Sequence, residues 1–477
     1  MHRREFLQQT AWGGAGLAVG AGCTSRMASG LRTSTTHGGA APHMAERMAD
    51  RMAWWREARF GMFLHFGMYS TLGGEWKGNA TGSHEWIRNN AKIPHDEYIA
   101  LVRQFNPTGF DGDAWVRAAK DAGQKYIVLT TKHHDGFSLF DSRATTYDVM
   151  STPFQRDIMR EVANACRQHD MRLGWYYSIM DWYHPDYLPR RDWEIRDATG
   201  ADFARYLQFM QAQLHELLTQ YGDISVLWFD GQWEATWTHA AATALSDYCR
   251  AIAPNIIIND RIDVGVPKSA AADPSYVKLG DYTTPELKVP DVGLPGVEWE
   301  TCMTMNENWG YSKFDHNFKS VPTLVRLLVE TASKGGNLLL NVGPMGDGRF
   351  PQESIDGLRG VGAWMRVNSG AIYGSSGTPF VDAPYVDTLP LRAPVRVTAQ
   401  AKRLNLFVDE WREGTLMLPS LKTVPTRAYV LGDPAVRLAV SASTAGVAVT
   451  LPDRGPGTLV PVIALDFSEP PRIVDSD

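Results

Sequence analysis

Cysteine is scarce, with 4 in a chain of 477 residues. Beyond Cys23, the positions Cys166, Cys249 and Cys302 are too widely spaced for a disulfide framework or a Cys-x-x-Cys metal pair. A broad basic surface is lacking too. Charged residues make up 21% and the net charge is −6, so the footprint of a nucleic-acid binder is missing and no such partner is expected. There is no long acidic tail, and no period of 20–50 residues repeats, which excludes a solenoid. Gly335-Gly336-Asn337 lacks the Walker and dinucleotide spacings and precedes a strand rather than following one, so it reads as a tight helix-to-strand turn. What is plentiful is aromatic: 16 Trp and 17 Tyr. Such side chains supply packing area, and they also line pockets in which the C–H face of a pyranose lies on a ring.

The N-terminus reads as an export signal. Arg3-Arg4-Glu5-Phe6-Leu7 precedes an apolar, Gly/Ala-rich stretch from Ala11 to Gly22. A charged start, a short apolar centre and a small-residue exit fit a twin-arginine-type signal peptide over 1–23. The stretch is too short to cross a bilayer as a permanent helix. Cys23 after Val19-Gly20-Ala21-Gly22 resembles a lipoprotein cleavage box, with Gly20 departing from the usual residue. Cys23 is therefore a candidate lipid anchor, and the expected location is periplasmic or membrane-anchored. Residues 24–44, rich in Ser, Thr, Gly and Ala, read as a flexible linker.

Six apolar runs each end in a polar or ionisable residue: Gly61–His65, Tyr126–His134, Leu173–Ser178, Val226–Asp230, Ile256–Asp260 and Leu338–Asn341. A strand buried on both faces reads as a continuous apolar run. Catalytic groups where such strands end point to a barrel active site. Helical spacing separates the runs, at Met44–Arg59, Trp115–Ala122 (with Asp113 as N-cap), Asp157–Gln168, Phe203–Tyr221, Ala240–Ala253, Val321–Ser333 and Ser354–Asn368. The expected fold is α/β: a (β/α)8-like TIM barrel over 45–378, followed by a small C-terminal antiparallel β-sandwich over 379–477. The latter rests on short β-rich runs at Val395–Thr398, Arg403–Val408, Thr415–Leu418, Arg427–Val430, Val447–Leu451 and Val460–Leu465.

Asp230, in Val226-Leu227-Trp228-Phe229-Asp230-Gly231, is the leading catalytic candidate. A carboxylate among Trp228, Phe229 and Trp233 is partly desolvated, and Gly231 permits a sharp exit. Such a group attacks an anomeric carbon, ligates a metal, or merely caps a helix. A glycosidase needs a second carboxyl to protonate the leaving oxygen. Glu298 and Glu300, in Val297-Glu298-Trp299-Glu300-Thr301, share one face of an extended segment. Glu286 and Glu307 are weaker candidates in polar loops, and Glu75 and Glu85 follow the first strand. His65, His133 and His134 end strands one and two. They suit sugar hydroxyls or zinc, although adjacent histidines in a strand point to opposite faces.

Together these segments resemble the α-L-fucosidases of glycoside hydrolase family 29. The matching stretches are Trp54-Trp55-Arg56-Glu57-Ala58-Arg59-Phe60-Gly61-Met62-Phe63-Leu64-His65-Phe66-Gly67 and Thr131-Lys132-His133-His134-Asp135-Gly136-Phe137. Further on come Gly174-Trp175-Tyr176-Tyr177-Ser178, Leu227-Trp228-Phe229-Asp230-Gly231, Trp299-Glu300-Thr301-Cys302 leading to Asn308-Trp309-Gly310-Tyr311, and Lys334-Gly335-Gly336-Asn337-Leu338-Leu339-Leu340-Asn341-Val342-Gly343-Pro344. Phe66 stands where the family commonly has Trp. The resemblance implies a retaining, exo-acting hydrolase of terminal α-linked L-fucose on oligosaccharides or glycoconjugates. It implies Asp230 as nucleophile and Glu300, in the Trp-Glu-Thr motif, as acid/base in preference to Glu298. His65, Glu85, Trp86, His133, His134, Tyr176, Trp228 and Arg261 are the implied substrate-binding residues. The Trp-Glu-Thr and Trp-Gly-Tyr pattern is similar to the broad-specificity branch. No cofactor or metal is expected. The rival readings are a metal-dependent barrel hydrolase and a non-catalytic glycan-binding protein.

Overall fold

The computed structural model describes residues 51–265, 279–294, 296–380, 395–419, 421–444 and 446–473. The proposed signal peptide, the linker and Cys23 lie outside them. A helix over 51–58 leads into the first of seven parallel strands. In chain order these are Phe60–Leu64, Tyr126–Lys132, Arg172–Ser178, Val226–Asp230, Ile257–Ile258, Glu300–Thr304 and Asn337–Val342. Across the sheet the order runs fifth, fourth, third, second, first, seventh, sixth. The fifth and sixth strands are therefore the two edges. A segment without regular strand character fills the gap between them. Its residues form isolated parallel bridges, Tyr282 to Asn259, Thr283 to Trp299 and Glu286 to Cys302. The Asp260 amide donates to the Tyr282 carbonyl on one side, and the Cys302 amide to the Pro285 carbonyl on the other. The segment takes the eighth position of the barrel, but it carries no apolar run that marks it as a strand.

Alternation along the strands separates two cores. Met62, Leu64, Ile127, Leu129, Trp175, Leu227, Phe229 and Leu340 pack outward against the helices. Phe63, Val128, Tyr176, Val226, Trp228, Cys302 and Leu339 fill the interior. Interior side chains form layers, because neighbouring parallel strands are held in register. Ser178 pairs with Asp230 and Tyr176 with Trp228. Glu300 pairs with Asn337, Cys302 with Leu339, and Thr304 with Asn341.

The helices begin where side chains satisfy their first amides. Asp157 caps Ile158–Gln168, Asp202 caps Phe203–Thr219 and Ser320 caps Val321–Ser333. Gly112–Asp121 is capped by Asp111, which accepts from the Ala114 amide, and not by Asp113 as the sequence suggested. Asp113 sits inside the first turn, where its charge still favours the helix dipole.

The C-terminal region is the expected sandwich. A five-stranded antiparallel sheet runs Arg396–Gln400, Arg403–Phe407, Val462–Asp466, Arg427–Val430, Asp433–Arg437 in spatial order. A three-stranded sheet runs Gly414–Leu418, Gly446–Leu451, Val440–Ser443. Val397, Leu404, Leu406, Leu416, Leu418, Val449, Ile463 and Leu465 form the core between them. Asp433–Arg437 and Val440–Ser443 escaped the sequence reading because they are largely exposed and carry few apolar residues. The sandwich packs on the barrel: Trp364 Nε1 donates to the Leu459 carbonyl at 2.9 Å, and Phe407, Val460 and Val462 join the outer barrel core.

Candidate active site

Asp230 is the last residue of its strand and points inward, two residues beyond Trp228. Gly231 has φ 87°, a region open to glycine, which turns the chain away sharply at this point. Arg261 Nη1 donates to Asp230 Oδ1 at 3.0 Å, and the Tyr176 hydroxyl donates to Oδ2 at 3.0 Å. His134 Nε2 lies 3.6 Å from Oδ2. Arg261 stands over the Trp228 ring at 4.7 Å and donates through Nε to Thr284 Oγ1. Its other arm, Nη2, donates to Glu286 Oε2 at 3.0 Å. The Trp309 indole donates to Glu286 Oε1 at 3.2 Å. One guanidinium thus joins two carboxylates at the mouth of the barrel. Burial opposes charge on Arg261, but the carboxylates of Asp230 and Glu286 hold it protonated.

The histidines gather around the same point. His65 Nδ1 bonds Asn341 Oδ1 at 2.7 Å, and Asn341 Nδ2 donates to the Trp309 carbonyl. The amide oxygen must therefore accept, so His65 carries its proton on Nδ1 and offers a bare Nε2. His134 follows the same logic. Ser178 Oγ donates to the Met180 carbonyl at 2.6 Å and receives the Nδ1 proton of His134, also at 2.6 Å. His133 lies parallel to Tyr176 with ring centres 5.3 Å apart, and its buried Nδ1 has no protein partner. Burial lowers His65 to about 4 and holds His133 and His134 well below the ordinary imidazole value. All three are neutral near neutral pH. His133 and His134 do not point to opposite faces, because the strand ends at Lys132 after a register shift. Both rings then turn to the pocket, 4.2 Å apart. Trp86 packs edge-on to His134 at 5.1 Å, and Trp233, 51% exposed, completes the rim. Among the described residues, no group of three or more His, Cys, Asp or Glu is arranged to hold a metal ion.

Two sequence candidates, Glu300 and Glu298, lie elsewhere. Glu300 is fully buried at the start of its strand, accepting from the Tyr126 hydroxyl and from Trp228 Nε1. It is in register with Asn337, whereas Asn341, whose side chain bonds His65, is level with Thr304. Four residues of strand separate those layers by about 13 Å. The Trp228 ring, with Arg261 above and Glu300 at its indole nitrogen, stands between. Glu298 is paired with Arg56 from the helix before the first strand, also at the amino end of the barrel. Neither faces Asp230. Glu85 is buried and its Oε2 accepts from the Gly310 amide, so it supports the loop carrying Trp309. Glu286, ranked lower because it sits in a polar loop, is the acid brought to Asp230. Trp309, Asn341 and Ser178 complete the pocket; Asn341 and Ser178 end apolar runs and Trp309 lies in the Trp-Gly-Tyr stretch, signals that mark their place but not their role. Two of them bond histidines on the neighbouring strand, a relation between distant segments that no local pattern encodes.

Burial pushes Glu300 up to about 7, against the hydrogen bonds from Tyr126 and Trp228. A carboxyl whose folded value is raised contributes stability below its unfolded value near 4.5 and loses it as pH rises through about 7. We expect the melting temperature of wild type, relative to Glu300→Gln, to decline across that window in a calorimetric pH series. A flat difference would show that Glu300 is ionised at no cost throughout.

The α-L-fucosidase family profile matches residues 33–370. An α-L-fucosidase of Branchiostoma floridae is 30% identical over 427 residues, covering 84% of this chain and 88% of the relative. The solved structure of α-L-fucosidase isoenzyme 1 from Paenibacillus thiaminolyticus is similar with a TM-score of 0.77 and 34% identity, over 90% of this chain and 100% of that one. A Bacteroides thetaiotaomicron α-L-fucosidase, solved as a trapped covalent intermediate, gives a TM-score of 0.78 at 30% identity over 87% and 96% of the two chains. The chain belongs to the α-L-fucosidase family. It is a glycoside hydrolase, and the enzyme's barrel and C-terminal sheets match those of its solved relatives.

Proposed function

We propose that the enzyme removes terminal α-linked L-fucose by double displacement, with Asp230 as nucleophile and Glu286 as acid/base. The observation that carries this is Arg261 bonded at 3.0 Å to both carboxylates. Retaining glycosidases hold their two carboxyl groups about 5–5.5 Å apart, and one guanidinium bonded to both keeps them at a spacing of that order. The covalent intermediate trapped in the Bacteroides relative supports the same chemistry.

In the first step Glu286 gives its proton to the glycosidic oxygen while Asp230 attacks the anomeric carbon. Glu286 is 37% exposed at the side chain, so it reaches a leaving group at the pocket mouth. Arg261 and Tyr176 hold the two oxygens of Asp230 and aim the carboxylate along one direction. The bare Nε2 atoms of His65 and His134 accept from sugar hydroxyls, and His133 Nδ1 supplies a further polar contact. The apolar walls, Phe63, Tyr176, Trp228 and Trp309, suit the C–H face and methyl group of a 6-deoxy sugar. In the second step Glu286 takes a proton from water as the water oxygen attacks the anomeric carbon and displaces the Asp230 carboxylate, which releases fucose. Proton NMR of the first seconds of hydrolysis of an aryl α-L-fucoside tests the reading: the α-anomer must appear first, and initial β-fucose would refute double displacement.

Export is part of the proposal. Arg3-Arg4, the Ala11–Gly22 stretch and Cys23 support a signal peptide and a lipid anchor. Activity in the soluble periplasmic fraction of cells expressing wild type, unchanged by Cys23→Ala, would argue against the anchor.

A further inference from the structure

Behind the histidines, in the wall between sheet and helix, lies an ion pair that the proposed mechanism does not use. Lys132, the last residue of the second strand, is fully buried, and so is Asp181. The ammonium donates to Asp181 Oδ2 at 3.0 Å and to the Tyr206 hydroxyl at 3.3 Å, and it lies 4.6 Å from the centre of the Tyr177 ring. Asp181 Oδ1 accepts from the amides of Tyr183 and His184. Gly136, at φ 83°, passes so close that a Cβ there would stand 2.3 Å from Asp181 Oδ1. Each partner is the sequence neighbour of a residue that packs at the active site. Lys132 immediately precedes His133 and His134. Asp181 immediately precedes Trp182, whose amide donates to the His134 carbonyl at 2.8 Å and whose ring meets Trp86 and His134.

Burying two charges is expensive, and well-packed apolar replacements are often as stable. Stability alone is therefore a weak reason for this pair. We propose that Lys132, clamped to Asp181, is a positioning residue for the nucleophile: it sets the His134–Trp182 junction that packs beside Asp230. The proposal rests on the assignment of Asp230 above.

The geometry also gives the ammonium an electrostatic part. With Nδ1 committed to Ser178, His134 can gain a proton only on Nε2, 3.6 Å from Asp230. A proton there would pair with the carboxylate and remove both the nucleophile's free charge and an acceptor for a sugar hydroxyl. The charged and titratable groups around His134 are Lys132, His133 and Asp135 on its own segment, His65 after the first strand, Asp230 on the fourth strand, Asp181 behind Lys132, and Arg191 and Arg261 on the loops. After burial, Lys132 is the largest influence against protonation, followed by Arg191 and Arg261.

The test is Lys132→Met combined with Asp181→Leu, which removes both charges together. The expected result is a folded protein whose kcat on an aryl α-L-fucoside falls about 10–100-fold, the scale of a misplaced active-site group. The acid limb of its kcat/KM profile should move to higher pH, because Lys132, of the two charges removed, is the one that acts mainly on the His134 imidazole. A folded double variant with wild-type kcat and an unmoved acid limb would overturn the proposal. Should it fail to fold, Asp181→Asn carries the test, since it keeps the acceptor for the two amides but turns an N–H toward the ammonium. It should lower kcat by about fivefold or more at near-wild-type melting temperature, and wild-type kcat there would equally end the idea. Failure of the nucleophile assignment is separable: it would show as an active Asp230→Ala enzyme, whatever the behaviour of Lys132.

Discussion

Asp230→Ala lowers kcat on an aryl α-L-fucoside by about 10⁴-fold or more, as expected when a covalent nucleophile is removed. The fold should survive. Asp230 sits at the end of its strand with 9% of its surface exposed, and Arg261, its cationic partner, keeps Glu286, Thr284 and the Trp228 face. The vacated space is lined by Arg261, Tyr176 and His134, a site that suits a small anion. Azide should enter it, attack the anomeric carbon from the nucleophile's side and restore turnover as β-L-fucosyl azide. Chromatography of that product distinguishes the direct role from an indirect one. An Asp230→Ala enzyme of wild-type activity, or one whose loss azide cannot relieve while the fold is intact, would remove the nucleophile assignment.

Glu286→Ala should show the signature of a missing proton donor. On fucosides with a poor leaving group kcat/KM falls by about 10²–10⁴-fold, while a dinitrophenyl-type fucoside, which leaves without protonation, is largely spared in its first step. Azide again helps, this time by attacking the fucosyl-enzyme in place of base-activated water. Glu300→Gln is the control that separates the two acids. It should stay within about fivefold of wild type on both substrate types, because Glu300 touches Tyr126 and Trp228 rather than substrate. A leaving-group effect in Glu300→Gln and none in Glu286→Ala would reverse the assignment. The raised value of Glu300 does not rescue it as the donor. Reach to the glycosidic oxygen comes first and acidity second, and a carboxyl that burial raises to about 7 while Tyr126 and Trp228 enclose it has no open path to that oxygen.

Sequence and structure agree most closely where the information is local. The strand-ending positions of His65, Ser178, Asp230 and Asn341 follow from continuous apolar runs, since a strand covered on both faces has no room for polar residues until it emerges. The motifs around them carried the family, and with it the chemistry of a fucosidase. They diverge where geometry is non-local. Glu298 and Glu300 lie on one face of their segment, and parity treats them alike. Neither reaches the mouth, because both fall at the amino end of the sixth strand. Glu286 was undervalued because Asp281–Leu287 contains Pro285 and few apolar residues. Its extended form is imposed by the edges of the fifth and sixth strands, which supply the hydrogen bonds that its own composition does not demand.

By itself, then, the order of residues determined the barrel, the strand ends and the carboxylate proposed as nucleophile, because burial on two faces writes a contiguous apolar signature. Only the closed tertiary structure decided which acid stands opposite Asp230. That choice depends on the end of the barrel at which a side chain emerges and on the single Arg261 spanning the gap, and both arise from contacts between segments far apart in the chain.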